Sequence, residues 1–158
     1  MGIRYYGWAV SHDEVIEAED DPWPVIRRAD QRHYRPDWTN TDFDKAWPLL
    51  QRLFSSDSPR SRRPGYDLVA GNVTYPDDGG LGYLPHIGVL APLRVREVAD
   101  DVAAVGPEDV RHLSAVLCYG DESRREDERE YLEYYLGVAQ SFTADAAARG
   151  HGIVYSIG

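Results

Sequence analysis

The sequence lacks the features that mark a secreted, membrane or nucleic-acid-binding protein. Its single cysteine, Cys118, excludes an internal disulfide and predicts a cytoplasmic location. No apolar run approaches the roughly 18 residues of a membrane span, and the N-terminus MGIRYYGWAV has no signal-peptide pattern. The 17 basic and 27 acidic residues give a net charge of −10. Because phosphate groups require clustered cations, this charge disfavours nucleic acid as a partner.

The size and composition are those of one globular domain covering residues 1–158. Hydrophobic residues make up 42% of the chain and charged residues 28%, which excludes a disordered protein. The acidic surplus suits a basic protein partner, but it also serves solubility alone. Both interpretations stay open at this stage.

The two ends of the chain carry the clearest strand patterns. Residues 3–10, IRYYGWAV, are rich in aromatic and β-branched side chains and predict a first strand. In residues 152–157, GIVYSI, the side chains of Ile153, Tyr155 and Ile157 alternate with Val154 and Ser156, and Val154 indicates a strand covered on both faces. We expect both strands in one small mixed sheet flanked by helices, which is an α+β fold.

Helix signals fill much of the remaining chain. Ser11 and Glu14 form an S-x-x-E capping box before a short helix. Apolar spacing predicts helices over 92–105 and from Pro107 onward, and a long helix that starts in the charged run 121–130 and closes at Gly150. Residues 86–90 predict a short strand. The segments around 25–34 and 67–70 stay open between helix and other structures.

The stretch TDFDKAWPLLQRLF, residues 41–54, predicts a helix with one apolar side. That side consists of Phe43, Ala46, Trp47, Leu50, Leu53 and Phe54. Asp44 is the expected N-cap. The rival cap is Thr41, which would place Pro48 deeper in the helix at a cost of about 3 kcal/mol.

The D-F-D sequence of Asp42 and Asp44 also permits a catalytic interpretation. A D-x-D nucleophile and acid pair needs two carboxylates at the end of a buried strand, facing a bound cation. The residues before it, DWTNT, are typical of turns. We therefore predict that D-F-D is a helix start.

Two polar segments interrupt the predicted elements. Residues 55–65, SSDSPRSRRPG, predict a mobile loop. Residues 71–83, GNVTYPDDGGLGY, hold four glycines, but their G-G-x-G spacing does not match a nucleotide-binding fingerprint. If residues 79–83 fold over the 42–47 helix start, Asp42, Asp44, Trp47, Tyr83 and His86 would form one ligand pocket. Otherwise the segment is an ordinary long loop.

No recognisable catalytic or metal-binding set appears in the sequence. The five histidines lie at no i,i+3 or i,i+4 spacing, so no helical ligand pair exists, and we expect neither a metal nor a cofactor. No serine lies in a G-x-S-x-G elbow. Cys118 adjoins an apolar helix face, where cysteine is usually a small buried hydrophobe.

Several motifs in order resemble those of one bacterial family. They are the M-G-I-x-x-Y start, D-F-D-K-A-W, the L-G-Y of 81–83, and the ending FTADAAARGHGIVYSI. Together they resemble the YfbM-like family of domains of unknown function. The resemblance implies a compact α+β domain without an established activity, so no catalytic residue is carried over from it.

The sequence thus supports two classes of function. The first is a non-catalytic binding protein, an adaptor or an immunity-type protein that neutralises a partner, which fits the acidic charge and the generous supply of aromatic residues. The second is a small hydrolase or small-molecule sensor that uses the five-residue pocket. We expect the first, with a basic protein as partner; the oligomeric state is left open.

Overall fold

A computed structural model describes residues 2–32, 39–55, 63–77 and 82–158. The predicted loop 55–65 lies mostly outside these residues, as does the 78–81 part of the glycine-rich segment. In chain order, the elements are β1 (Tyr5–Val10), α1 (His12–Asp20), α2 (Pro22–Gln31), β2 (Asn40–Asp44), α3 (Trp47–Leu53), a 3-10 helix (Pro64–Leu68), β3 (His86–Leu90), α4 (Pro92–Ala103), α5 (Pro107–Leu117), α6 (Glu122–Ala148) and β4 (Gly152–Ile157).

The four strands form one sheet in the order β2-β1-β4-β3. The first and last strands of the chain are its central pair, which confirms the predicted place of the termini in an α+β fold. The pairing differs in one respect from the mixed sheet we expected: each of the three strand pairs is antiparallel. Beyond the central pair, the backbones of Arg4 and Gly158 exchange hydrogen bonds of 3.0 and 2.9 Å.

Helices cover both faces of the sheet. The larger core packs α3, α4 and α6 against one face, where β4 contributes Ile153, Tyr155 and Ile157. A smaller core on the opposite face joins Trp8 and Val154 to α1 and α2. Strand β4 is therefore buried on both faces, as Val154 predicted.

The capping box before α1 is present as predicted. Ser11 accepts a hydrogen bond from the Glu14 N–H, and the Glu14 carboxylate accepts one from the Ser11 N–H. Glu14 also pairs with Arg32 at the end of α2, at 2.6 Å. The motif thus fixes the helix start and joins the first two helices.

Replacing the cap residue should weaken this corner of the fold. We expect Ser11→Ala to lower the free energy of unfolding by about 1 kcal/mol, because the N-terminal amides of α1 lose their acceptor. Urea denaturation followed by circular dichroism measures the loss. Ser141→Ala, an exposed change in the middle of α6, is the control and should stay within about 0.5 kcal/mol of the wild type.

The D-F-D segment is where the predicted fold was wrong. Residues 40–44 form strand β2 rather than the start of a helix, with Thr41 and Phe43 buried and Asp42 exposed. Asp44 ends the strand with a φ of 45° and caps no helix. Helix α3 begins at Trp47, so Pro48 falls within the first turn, where its missing N–H costs nothing.

The error has a physical cause. Phe43 lies at a helical spacing from the apolar residues of α3, so it fits a helix pattern as well as a strand pattern. The pairing of residues 40–44 with β1 decides the structure. In that pairing every second side chain of the segment is buried, as a strand requires and a helix does not.

The other helices lie close to the positions predicted from the sequence. Helix α6 runs unbroken for 27 residues from the charged segment, and Gly150 follows it with a φ of 67°. Of the first open segment, residues 25–31 belong to α2, which has Asp21 as its N-cap, and of the second, residues 67–68 end the 3-10 helix. Among the described helices, none is both long and apolar enough to cross a membrane.

Candidate functional site

A groove of about 690 Å³ runs between the edge strand β2 and the outer side of α6. We call it the β2–α6 groove. Two further grooves on the described residues have volumes of about 600 Å³, between α3 and α5, and about 290 Å³, beside the start of α5. The β2–α6 groove is lined by Thr39, Asn40, Thr41, Tyr134, Gly137, Val138, Ser141, Phe142, Asp145 and Arg149.

Small residues on α6 leave the space for this groove. Gly137 and Ser141, one helical turn apart, are both exposed on its groove side. A Cβ atom added at Gly137 would meet no other atom within 4 Å. The opposite side of the helix, with Leu136 and Ala139, is buried in the larger core. The helix is thus anchored by one side and open on the other.

One end of the groove is closed by a polar cluster. The Thr39 hydroxyl donates a hydrogen bond to Asp145, and Arg149 forms an ion pair with the same carboxylate at 3.1 Å. The Thr39 hydrogen bond is the main cause that holds the pKa of Asp145 below its ordinary value. The cluster ties the start of β2 to the last turns of α6.

The other end carries tyrosines and carboxylates. The Tyr135 ring lies 4.9 Å from the Tyr131 ring and 5.0 Å from the Tyr134 ring, both in edge-on contacts. Tyr134 is 66% exposed, so its ring is available to a partner. Burial, then the neighbouring Tyr135 and the Asp44 carboxylate, raise the pKa of Tyr131 to about 12. The phenol therefore keeps its proton at neutral pH.

Thr41 lies in the wall of the groove between these two ends. Its side chain is nine-tenths buried, with 9% of its surface exposed. Among the described residues, its hydroxyl oxygen has no hydrogen-bond partner. A buried hydroxyl without a partner costs about 1–3 kcal/mol, so a bound group that hydrogen-bonds to Thr41 would remove this cost.

The five residues predicted as a pocket fall into two groups. Asp42 and Asp44 lie on β2, beside the groove; Asp42 is exposed, and Asp44 forms an ion pair with Arg4 at 2.7 Å. Trp47 is buried in the core, and its indole N–H donates to the Ile3 carbonyl at 3.4 Å. The indole is therefore a core anchor.

Tyr83 and His86 form the second group, at the opposite edge of the sheet. Tyr83 is exposed and meets the Tyr75 ring edge-on at 6.3 Å, while His86 lies on β3, 6.1 Å from the ring of Tyr155. Two strands separate β2 from β3, so their backbones are roughly 14 Å apart. The structure does not bring the five residues into one pocket, and ligand binding by either group stays a prediction.

The position of His86 predicts that the stability of the protein depends on pH. Burial lowers the pKa of His86 from its ordinary value. The His86 imidazole is therefore protonated at a higher pH in the unfolded chain than in the folded protein. The stability present above about pH 6.5 is lost as the pH falls through the pKa that His86 has in the folded state. Urea unfolding at pH 7 and pH 5 should show a smaller loss for His86→Gln than for the wild type.

A residual pH dependence is expected in that variant. Burial also lowers the pKa of His151, which remains present. The matched control is His12→Gln at an exposed histidine of α1, which should keep the wild-type profile. Equal losses in His86→Gln and the wild type would show that His86 protonation is not linked to unfolding.

Metal ligands are not clustered in the part of the chain that the structure describes. There, no group of three or more His, Cys, Asp or Glu side chains could hold a metal ion. Cys118 is a free, buried thiol at the end of α5, as its apolar surroundings predicted.

The sequence comparison shows the family, and the structural comparison shows the fold. The sequence model of a family described as a domain of unknown function, DUF1877, matches residues 1–156. The chain belongs to the DUF1877 family. In fold it is similar to YfbM from Escherichia coli, a protein of unknown function, with a TM-score of 0.65 and 14% identity over 98% of this chain and 99% of that chain. No curated protein matches the sequence. The YfbM-like resemblance of the motifs is confirmed.

In this DUF1877 chain, the sequence pointed to Asp42 and Asp44, which lie beside the groove. It did not point to Thr41 or to the exposed side of α6, which line the groove. One signal was available: Gly137 lies inside a long helix, where alanine would be more favourable by about 1 kcal/mol. A glycine at such a position often has a packing or functional reason.

Proposed function

We propose that this chain is a non-catalytic binding protein of the bacterial cytoplasm, an adaptor or immunity-type protein. It binds a basic segment of another protein at the β2–α6 groove. The observation that carries the proposal is the groove itself, an open channel between a sheet edge and a helix, with exposed tyrosine at one end and carboxylates beside both ends.

The charge around the groove favours a basic partner. The protein has a net charge of −10. The start of α6 carries seven acidic and three basic residues between positions 121 and 133, and it leads directly to the tyrosine end of the groove. Such a field attracts cationic segments and speeds their association.

The tyrosines supply a second means of recognition. A guanidinium or ammonium group over an exposed tyrosine ring gains about 0.5–1 kcal/mol from cation–π attraction. Tyrosine is also enriched among the residues that dominate binding energy at protein interfaces. Tyr134, with its exposed ring, is the expected anchor, and Asp42 is the nearby exposed carboxylate.

A phage-displayed library of random dodecapeptides, selected on the immobilised protein, tests the proposal. We expect the selected peptides to be enriched in Arg and Lys, and their affinity to fall steeply with added salt. Tyr134→Ala should weaken the best peptide by roughly tenfold or more. Selection of peptides without basic enrichment, or of none above background, would refute the proposal.

An exposed tyrosine elsewhere provides the control. Tyr119 is 93% exposed and follows α5, outside the groove lining. Tyr119→Ala should bind the selected peptide as the wild type does. Equal weakening by the two variants would place the binding surface elsewhere.

A further inference from the structure

The β2–α6 groove has the geometry of a site for strand addition. An edge strand forms one wall, and the side of a helix forms the other. Domains that bind extended peptides by adding a strand to a sheet edge use the backbone of the edge for affinity and the adjoining surface for side-chain selection.

The backbone register of β2 makes its outer edge suitable. The Thr39 carbonyl accepts a hydrogen bond from the Ala9 N–H at 2.9 Å, and Thr41 pairs with Gly7, so both residues direct their backbones toward β1. Backbone groups alternate in direction along a strand. Asp42 therefore directs its N–H and C=O away from β1, toward the outer edge of the described sheet.

The groove walls are suited to an extended chain. Gly137 and Ser141 leave room beside α6 for alternate side chains of an added strand. The buried Thr41 hydroxyl, which has no partner among the described residues, supplies a polar group in the opposite wall. The strand wall and the helix wall thus carry separate features that a ligand would use.

We propose that the basic partner segment binds as an extended strand antiparallel or parallel to β2, in the space between β2 and α6. Its backbone hydrogen-bonds to the outer edge at Asp42, its small or apolar side chains lie over Gly137 and Ser141, and its Lys or Arg side chains reach the tyrosine end. This inference rests on the function proposed above and adds the mode of binding.

Filling the groove tests the location. Ser141→Trp places an indole on the exposed groove side of α6, and we expect it to weaken the selected basic peptide by roughly tenfold or more, as a steric block of a bound segment does. Ala144→Trp is the matched control, because Ala144 is a small, exposed residue of the same helix that does not line the groove. It should bind as the wild type does. Thermal unfolding of both variants checks that each is folded.

Backbone methylation tests the strand mode. Single N-methyl groups introduced along the selected peptide should abolish binding at alternate positions only, since every second amide of an added strand faces β2. Hydrogen exchange of the Asp42 amide should slow when the peptide is bound.

The outcomes separate the two proposals. If basic peptides are selected but Ser141→Trp binds them as well as Ala144→Trp does, the groove and the strand site are both wrong, and only the preference for a basic partner remains of the function proposed above. Methylation effects without alternation, or an unchanged Asp42 amide, would likewise overturn strand addition. Failure to select basic peptides would refute both proposals.

Discussion

Gly88→Ala is expected to remove a large part of the stability of the protein. Gly88 lies on β3 under the ring of Tyr155, and a Cβ atom there would be 2.1 Å from the ring carbon Cζ and 2.4 Å from the hydroxyl oxygen. The ring cannot easily move, because it stacks on Tyr5 at 5.3 Å and donates a hydrogen bond to the Ala70 carbonyl at 2.9 Å.

The cost should reach or exceed the upper end of overpacking penalties, about 3 kcal/mol, against a total stability of about 5–15 kcal/mol. Soluble yield and urea unfolding followed by circular dichroism measure it. Gly137→Ala, at an open helical position, is the control and should stabilise the protein by about 0.5–1 kcal/mol. A Gly88→Ala variant within about 0.5 kcal/mol of the wild type would show that the Tyr155 ring is not held as described.

Gly71→Ala is also expected to be strongly destabilising, for two separable reasons. Gly71 has a φ of 102°, which strains any other residue by about 1–3 kcal/mol. A Cβ atom there would also lie 2.3 Å from two atoms of the His86 ring. The backbone cannot relax freely, because the Gly71 carbonyl accepts a hydrogen bond from Gln51 at 2.7 Å.

A double-mutant cycle with His86→Ala separates the two causes. In that background the ring contact is absent and the backbone strain remains, so Gly71→Ala should cost less than in the wild type but still more than about 1 kcal/mol. An equal cost in both backgrounds would exclude the contact with His86. Urea unfolding of the four proteins provides the measurement.

The predictable parts of the fold are those with local causes. The aromatic and β-branched composition of residues 3–10, the alternation in residues 152–157, the Ser11 capping box and the apolar spacing of α4 each predict their element from neighbours in sequence. The presence of β1 and β4 in one sheet was also predicted from the sequence, whereas their direct pairing at its centre was not.

The missed parts depend on contacts between distant residues. Residues 40–44 have a weak strand pattern, and only their pairing with β1 makes them an edge strand. The candidate site depends on that edge meeting α6, where Thr39 contacts Asp145 across 106 positions of sequence. The strand order likewise places Asp42 and His86 at opposite edges of the sheet, whereas the sequence left open whether the glycine-rich segment would bring them into one pocket.

The position of the bound peptide on the protein tests the account most directly. Amide chemical shifts of the ¹⁵N-labelled protein, recorded with and without the best selected basic peptide, report that position. We predict shift changes at Thr39, along residues 40–42 of β2, and at Gly137 and Ser141 of α6. Changes confined to the opposite edge of the sheet, around Tyr83 and His86, would contradict the β2–α6 groove as the binding site.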